Sequence, residues 1–257
     1  MSSNASLGTP WAGPRLFVAV GAVVAGVIIY LIGLPDSTSL FGTALSDLTL
    51  PTALFVGTAG IAATASTTST GRWRVVDIVI ASVLGVAGGL VFAAWNAGAK
   101  PLMDAMVPPT SAIVDGVWLF PAVLGALVVR RAGAAVYTET VAAVLSALIG
   151  NQWGFSTVWY GLVEGMGAEV IFALLLYRRY GLPTALLGGA GAGLAVGLMD
   201  TLIYYPELGT GTKLAYVVLA IGSGVVIAGL GSWLLTRALA RTGALAPLAS
   251  GRTAERV

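Results

Sequence analysis

The chain reads as an all-α integral membrane protein, and three observations predict this. Hydrophobic residues fill 57% of the 257 positions and charged residues only 9%, with a mean hydropathy of +0.92, whereas about a quarter of a soluble domain is charged. Apolar runs close to the ~20 residues that a helix needs to cross a bilayer recur along the chain. Glycine occupies 35 positions, and in lipid such small residues let helix backbones approach closely. Together they predict a multi-pass helical bundle in the cell membrane.

The residues 1–70 are read as an N-terminal extension. Met1 to Pro14 form a small, polar tail. The run from Leu16 to Leu34 follows Arg15 and exceeds the roughly 7–15 apolar residues of a signal-peptide core, so it is expected to stay as a membrane helix. A loop at Pro35–Ser39 follows, then a weaker, Thr-rich span from about Leu50 to Thr68.

Residues 71–240 form the expected core. Arg72 and Arg74 precede a run from Val75 to about Ala97 that places Ala81, Gly85 and Gly89 at intervals of four, a single stripe of small residues. Such a stripe is a contact face, either for another helix of the same bundle or for a separate protein. The segment Ala99–Asp115 contains Pro101, Pro108 and Pro109 and cannot be one continuous helix. Spans follow at about Gly116–Val129, Ala134–Gly150, Thr157–Tyr177, Leu182–Tyr204 and Leu214–Leu239, and residues 241–257 are read as a charged cytoplasmic tail. This makes eight helices. With both termini cytoplasmic, Arg15, Arg72, Arg74, Arg130, Arg131, Arg178, Arg179, Arg237, Arg241, Arg252 and Arg256 fall inside and only Lys100 and Lys213 outside, as the positive-inside rule expects.

The chain has no Cys and no His, so zinc, haem and imidazole acid–base chemistry lack their usual ligands, and neither a metal nor a cofactor is expected. A nucleic-acid partner is not expected. Neither lysine follows a glycine, which rules out a phosphate-cradling Walker A loop, and no G-x-S-x-G elbow is present. No catalytic residue is identified, so an enzyme is not expected, and ATP could drive transport only through a partner.

Candidate site residues are acids inside apolar spans. Glu139, Glu164, Glu169 and Asp200 each cost about 2.5–3.5 kcal/mol on insertion scales at a helix centre, and no Lys, Arg or His lies deep in the membrane beside them. Either some are protonated, or hydrogen bonds satisfy them, or a cationic ligand supplies the missing charge. Counting rise per residue, an outward-facing cup would use Glu164 and Asp200 most readily, with Glu139 and Glu169 as its floor. Trp118, Trp153 and Tyr160 lie at the same level as the amides of Asn151 and Gln152. They form either an interfacial aromatic belt or, with the acids, a site for a small aromatic cation.

From Arg74 to about Tyr205, half of the chain resembles the substrate-binding S components of energy-coupling factor (ECF) transporters, most closely the YkoE type. The resemblance rests on GVWLFPAVLGALVVRRAGAAVYTETVAA from Gly116, ALIGN from Ala147, GLVEGMGAEVIFA from Gly161, and Asp200 after a Gly-rich helix. It implies a six-helix S-component bundle, here preceded by two extra transmembrane helices. It also implies capture of thiamine or its hydroxymethylpyrimidine precursor from outside the cell. The implied partners are a transmembrane coupling subunit, docked in part by Ala81, Gly85 and Gly89, and two cytoplasmic ATPase subunits. On this resemblance Glu164 and Asn151 are expected to hold the aminopyrimidine and Trp153 to stack on it, with Asp115, Glu139, Glu169 and Asp200 as further candidates. The rival readings are a stand-alone cation-coupled secondary carrier and a structural membrane assembly subunit.

Overall fold

A computed structural model of the chain describes residues 39–40, 43–44, 73–248 and 250–251. The chain divides into two units, 1–64 and 65–257. In the first, β1 (Ser39–Leu40) and β2 (Thr43–Ala44) pair antiparallel, with Ser39 opposite Ala44. The two spans expected at 16–34 and 50–68 lie outside the described residues.

The described part of the second unit is helical throughout. It comprises α1 (Val75–Gly98), α2 (Lys100–Ala105), a 3-10 turn (Thr110–Val114), α3 (Gly116–Val129), α4 (Ala134–Ile149), α5 (Ser156–Leu174) and α6 (Leu182–Ile203), and it ends with α7 (Thr210–Ser223), a π-helical segment (Gly224–Leu230) and α8 (Gly231–Arg241). The last three run on as one span, Thr210–Arg241. All six core spans expected from the sequence are present. Five are long and apolar enough to cross a membrane, while α4, with 16 residues, is shorter. Between α1 and α3 the prolines leave two short helical pieces, with Pro101 tolerated in the first turn of α2.

At the start of α1, Asp77 turns back to accept the Arg74 N–H at 2.9 Å, and its carboxylate pairs with the Arg74 and Arg131 guanidinium groups at 2.7 and 2.9 Å. An acid in the first turn also suits the positive end of the helix. The small-residue stripe of α1 faces inward. A Cβ on Gly85 would lie 2.7 Å from the Val141 side chain, and one on Gly89 would lie 2.7 Å from the Ala142 carbonyl oxygen, while Ala81 is fully buried. The stripe is taken up in packing α1 on α4, so Ala81, Gly85 and Gly89 do not offer the docking face expected of them. The outward face is instead apolar and branched, with Val79, Val83, Val86 and Leu90 exposed, as suits a helix bathed in lipid.

Helix α3 runs through the middle of the bundle and is buried continuously from Pro121 to Val129. It ends at Arg130, which adopts a left-handed conformation (φ 55°) and lays its guanidinium over the Tyr180 ring at 5.0 Å. Helices α6 and the π-helical segment meet through glycines. A Cβ on either Gly189 or Gly224 would collide with the other's carbonyl oxygen, a backbone-to-backbone approach that only glycine permits. After Arg241 the described residues 242–248 and 250–251 fold back onto the bundle. Leu245 and Leu248 are buried beside Ala81, Leu124 and Val128, and the Ser250 hydroxyl donates to the Val128 carbonyl at 2.8 Å.

Candidate substrate pocket

At the end of the bundle opposite Arg74, Arg130 and Arg131 lies a cavity of about 360 Å³. Its walls come from the 3-10 turn and the N-terminal part of α3 (Ser111, Val114, Asp115, Trp118), from the loop and first half of α5 (Gln152, Trp153, Ser156, Thr157, Tyr160, Glu164), and from α6 with its following loop (Val196, Asp200, Tyr204, Tyr205). Tyr216 of α7, Phe92, Met106 and Ala143 complete the lining.

Each acid reaches the cavity for a local reason. Asp115 sits where the 3-10 turn passes into α3, and Ser223 clasps that junction: its hydroxyl accepts the Gly116 N–H at 2.8 Å and donates to the Ile113 carbonyl at 2.6 Å. One oxygen of Asp115 is buried with no partner. Asp200, near the end of α6, accepts a hydrogen bond from the Tyr216 hydroxyl at 2.8 Å. Glu164 projects from α5, one turn after Tyr160, and feels the charge of both Asp115 and Asp200. No Lys or Arg stands among the lining residues. Removing carboxylates from water without a counter-charge is costly, and three converging on one cavity make it strongly attractive to a cation. Tyr205, just past the end of α6, is held above its usual phenol range by burial and then by the charge of Asp200, so it stays a hydrogen-bond donor.

Seven aromatic rings, Phe92, Trp118, Trp153, Tyr160, Tyr204, Tyr205 and Tyr216, also line the recess. Trp118 stands edge-to-face against both Trp95 (6.4 Å) and Trp153 (5.8 Å), and Tyr160 lies 5.6 Å from Tyr204. Ring faces with nearby anions suit a flat, positively charged guest.

Of the residues expected at the site, the structure brings together Asp115, Trp118, Trp153, Tyr160, Glu164 and Asp200. Three others stand elsewhere. Asn151 is turned into its own loop, where its Oδ1 accepts from the Trp153 N–H at 2.9 Å and the Thr157 hydroxyl at 3.1 Å. Glu139 is fully buried behind Glu164. One of its oxygens accepts the Ala122 N–H at 2.7 Å, and the other has no partner. That N–H follows Pro121, whose ring interrupts the α3 ladder.

Glu169 is not a floor to the cavity. Its carboxylate caps the start of α4, accepting from the N–H groups of Gly133 (2.6 Å), Ala135 (2.8 Å) and Val136 (3.4 Å). The Tyr177 hydroxyl completes the set at 2.8 Å; burial and the neighbouring Glu169 charge hold that phenol well above its usual range, so it donates. A helix N-terminus is a natural seat for a carboxylate. Sequence reasoning passes over Asp77 and Tyr216. The signal for Tyr216 is the lone aromatic ring of α7, and for Asp77 an acid three residues after Arg74.

Residues 76–195 match the family model described as "ABC-type cobalt transport system, permease component". The chain is 31% identical over 181 residues to YkoE of Bacillus subtilis strain 168, described as a proposed HMP/thiamine permease protein; the match covers 70% of this chain and 91% of the relative. Among solved structures it is similar to one titled "Crystal structure of an S-component of ECF transporter", with a TM-score of 0.69 and 30% identity, over 72% of this chain and 94% of that one. Among the described residues no group of three or more His, Cys, Asp or Glu is arranged to hold a metal ion.

Proposed function

Because the chain belongs to the S components of energy-coupling factor transporters, multi-pass membrane subunits that are not enzymes, we propose that it captures thiamine or its hydroxymethylpyrimidine precursor for import. The observation that carries this reading is the convergence of Asp115, Glu164 and Asp200 with Trp118 and Trp153 on one cavity that has no cationic side chain. Thiamine joins a flat aminopyrimidine to a thiazolium with a permanent positive charge, and it complements such a cavity in both shape and sign. Hydroxymethylpyrimidine offers the ring without the fixed charge, so thiamine is expected to bind more tightly.

The cavity faces the exterior on this reading, and the end that carries Arg74, Arg130 and Arg131 faces the cytoplasm. ATP hydrolysis is supplied by two ATPase subunits through a transmembrane coupling subunit. That subunit meets a surface other than the Ala81, Gly85 and Gly89 stripe, which is closed inside the bundle.

Calorimetry on the purified full-length protein tests the reading with thiamine, hydroxymethylpyrimidine and an unrelated anionic vitamin. Saturable binding of the first two is expected, and Glu164→Gln should weaken thiamine about tenfold or more, since it removes a charge-assisted contact. No binding of either compound would overturn the proposal, and undisturbed affinity in Glu164→Gln would remove Glu164 from the site.

A further inference from the structure

The two tryptophan walls of the cavity come from different elements, Trp118 from α3 and Trp153 from the loop between α4 and α5. Behind them, outside the cavity, both are tied to one hydroxyl. The Trp118 indole N–H donates to the Asn96 Oδ1 at 3.0 Å, and the Asn96 Nδ2 donates to the Ser146 Oγ at 3.4 Å. From the other side, the Asn151 Nδ2 donates to the same Oγ at 3.2 Å, while its Oδ1 accepts from the Trp153 backbone N–H. Ser146 is fully buried in the last turn of α4, and its carbonyl accepts the Gly150 N–H that ends the helix. Beyond it, Gly150 (φ 103°) and Gly154 (φ 57°) bracket the Trp153 loop with backbone that other residues rarely adopt. Two side chains fix this loop: Asn151, and Ser156, whose hydroxyl donates to the Trp153 carbonyl at 2.7 Å; of the two, Asn151 ties the loop to α4.

We infer that Ser146 is a positioning residue: through the carboxamides of Asn96 and Asn151 it joins Trp118 and Trp153 into one unit, so that retention of ligand depends on a residue that does not touch it. The inference rests on the reading of the cavity as the vitamin site. The direct contact between the two rings is the competing source of coupling, and the two differ in what Ser146→Ala does. With the hydroxyl gone, both carboxamides lose their shared acceptor while the rings keep their contact. The Trp153 loop should then open more readily over bound ligand.

Stopped-flow tryptophan fluorescence with thiamine, on the full-length protein in lipid nanodiscs, separates the two rates. For Ser146→Ala the dissociation rate should rise about tenfold, the factor that ~1.4 kcal/mol represents, with the association rate changed less than about twofold. A cycle of Trp118→Phe and Asn151→Leu, which cut the two arms and leave an aromatic ring at both walls, should be non-additive in the parent and close to additive in the Ser146→Ala background. An unchanged dissociation rate, or coupling that persists undiminished without the hydroxyl, overturns the inference. Should Ser146→Ala not fold, Asn96→Leu cuts the Trp118 arm alone and is held to the same rise in dissociation rate. If the parent binds neither thiamine nor hydroxymethylpyrimidine, the functional reading falls, and the hub is judged without ligand. Acrylamide quenching of indole emission should increase in Ser146→Ala, and unchanged quenching overturns it.

Discussion

Glu164 and Glu169 lie five positions apart on α5 and serve different places: the first lines the cavity and the second caps α4. Replacing Glu169 by Ala would strand three backbone N–H groups and the Tyr177 hydroxyl in the interior. At about 1–3 kcal/mol for a buried polar group left unpaired, a loss of roughly 3 kcal/mol or more is expected, read as a fall in melting temperature. Thiamine affinity of the folded fraction should change little, and a Glu169→Ala variant that melts like the parent would contradict the capping role. The sequence makes both acids conspicuous, because any carboxylate in an apolar span stands out. It cannot separate their roles, since the difference depends on whether a helix N-terminus or a cavity lies opposite, and that is decided by the packing of α4 and α6. Asn151 is misjudged for a related reason. An amide beside a tryptophan can hold a ligand or its own loop, and only the position of Ser146 decides between them.

At the scale of the element, the six core spans are legible to within a few residues except at the start of α7, because their boundaries coincide with arginine pairs, glycines and prolines that the bilayer and the helix geometry both select. The inward face of each helix is less legible. Glycine lines both internal contacts and exposed positions, and a stripe such as Ala81, Gly85 and Gly89 looks the same whether its partner is α4 or another protein. The structure separates glycines that must be glycine from those that need not be. Gly189→Val should prevent α6 from reaching the π-helical segment and abolish stable folding, as judged by size-exclusion profile and melting. Gly222 has open space around its Cβ position, so Gly222→Ala should fold normally and gain about 0.5–1 kcal/mol of helix stability. Equal behaviour of the two variants would count against the close α6 contact.

Among the described residues, charge is sorted by end: Arg74, Arg130 and Arg131 lie at one end and the cavity acids near the other, with a buried core around α3 between them. The same sorting predicts selectivity. Thiamine diphosphate shares the pyrimidine and thiazolium of thiamine but brings phosphates towards Asp115, Glu164 and Asp200 with no lining Lys or Arg to receive them. It should therefore bind at least about tenfold more weakly than thiamine in competition calorimetry, like-charge juxtaposition being costly at an enclosed site. Equal affinity would mean that the phosphates escape the acids altogether.

The π-helical stretch between Ser223 and Gly231 carries a geometric debt of its own. Its wider turn sets the angular phase of everything on its far side, including Ser232, whose hydroxyl donates to the Phe120 carbonyl at 3.0 Å. Deleting a single residue there, Ile227 for instance, would rotate α8 by about 100° relative to α7. The tyrosine end and the arginine end of this one rod could then no longer both face the bundle, so its length is a constraint as strict as its composition.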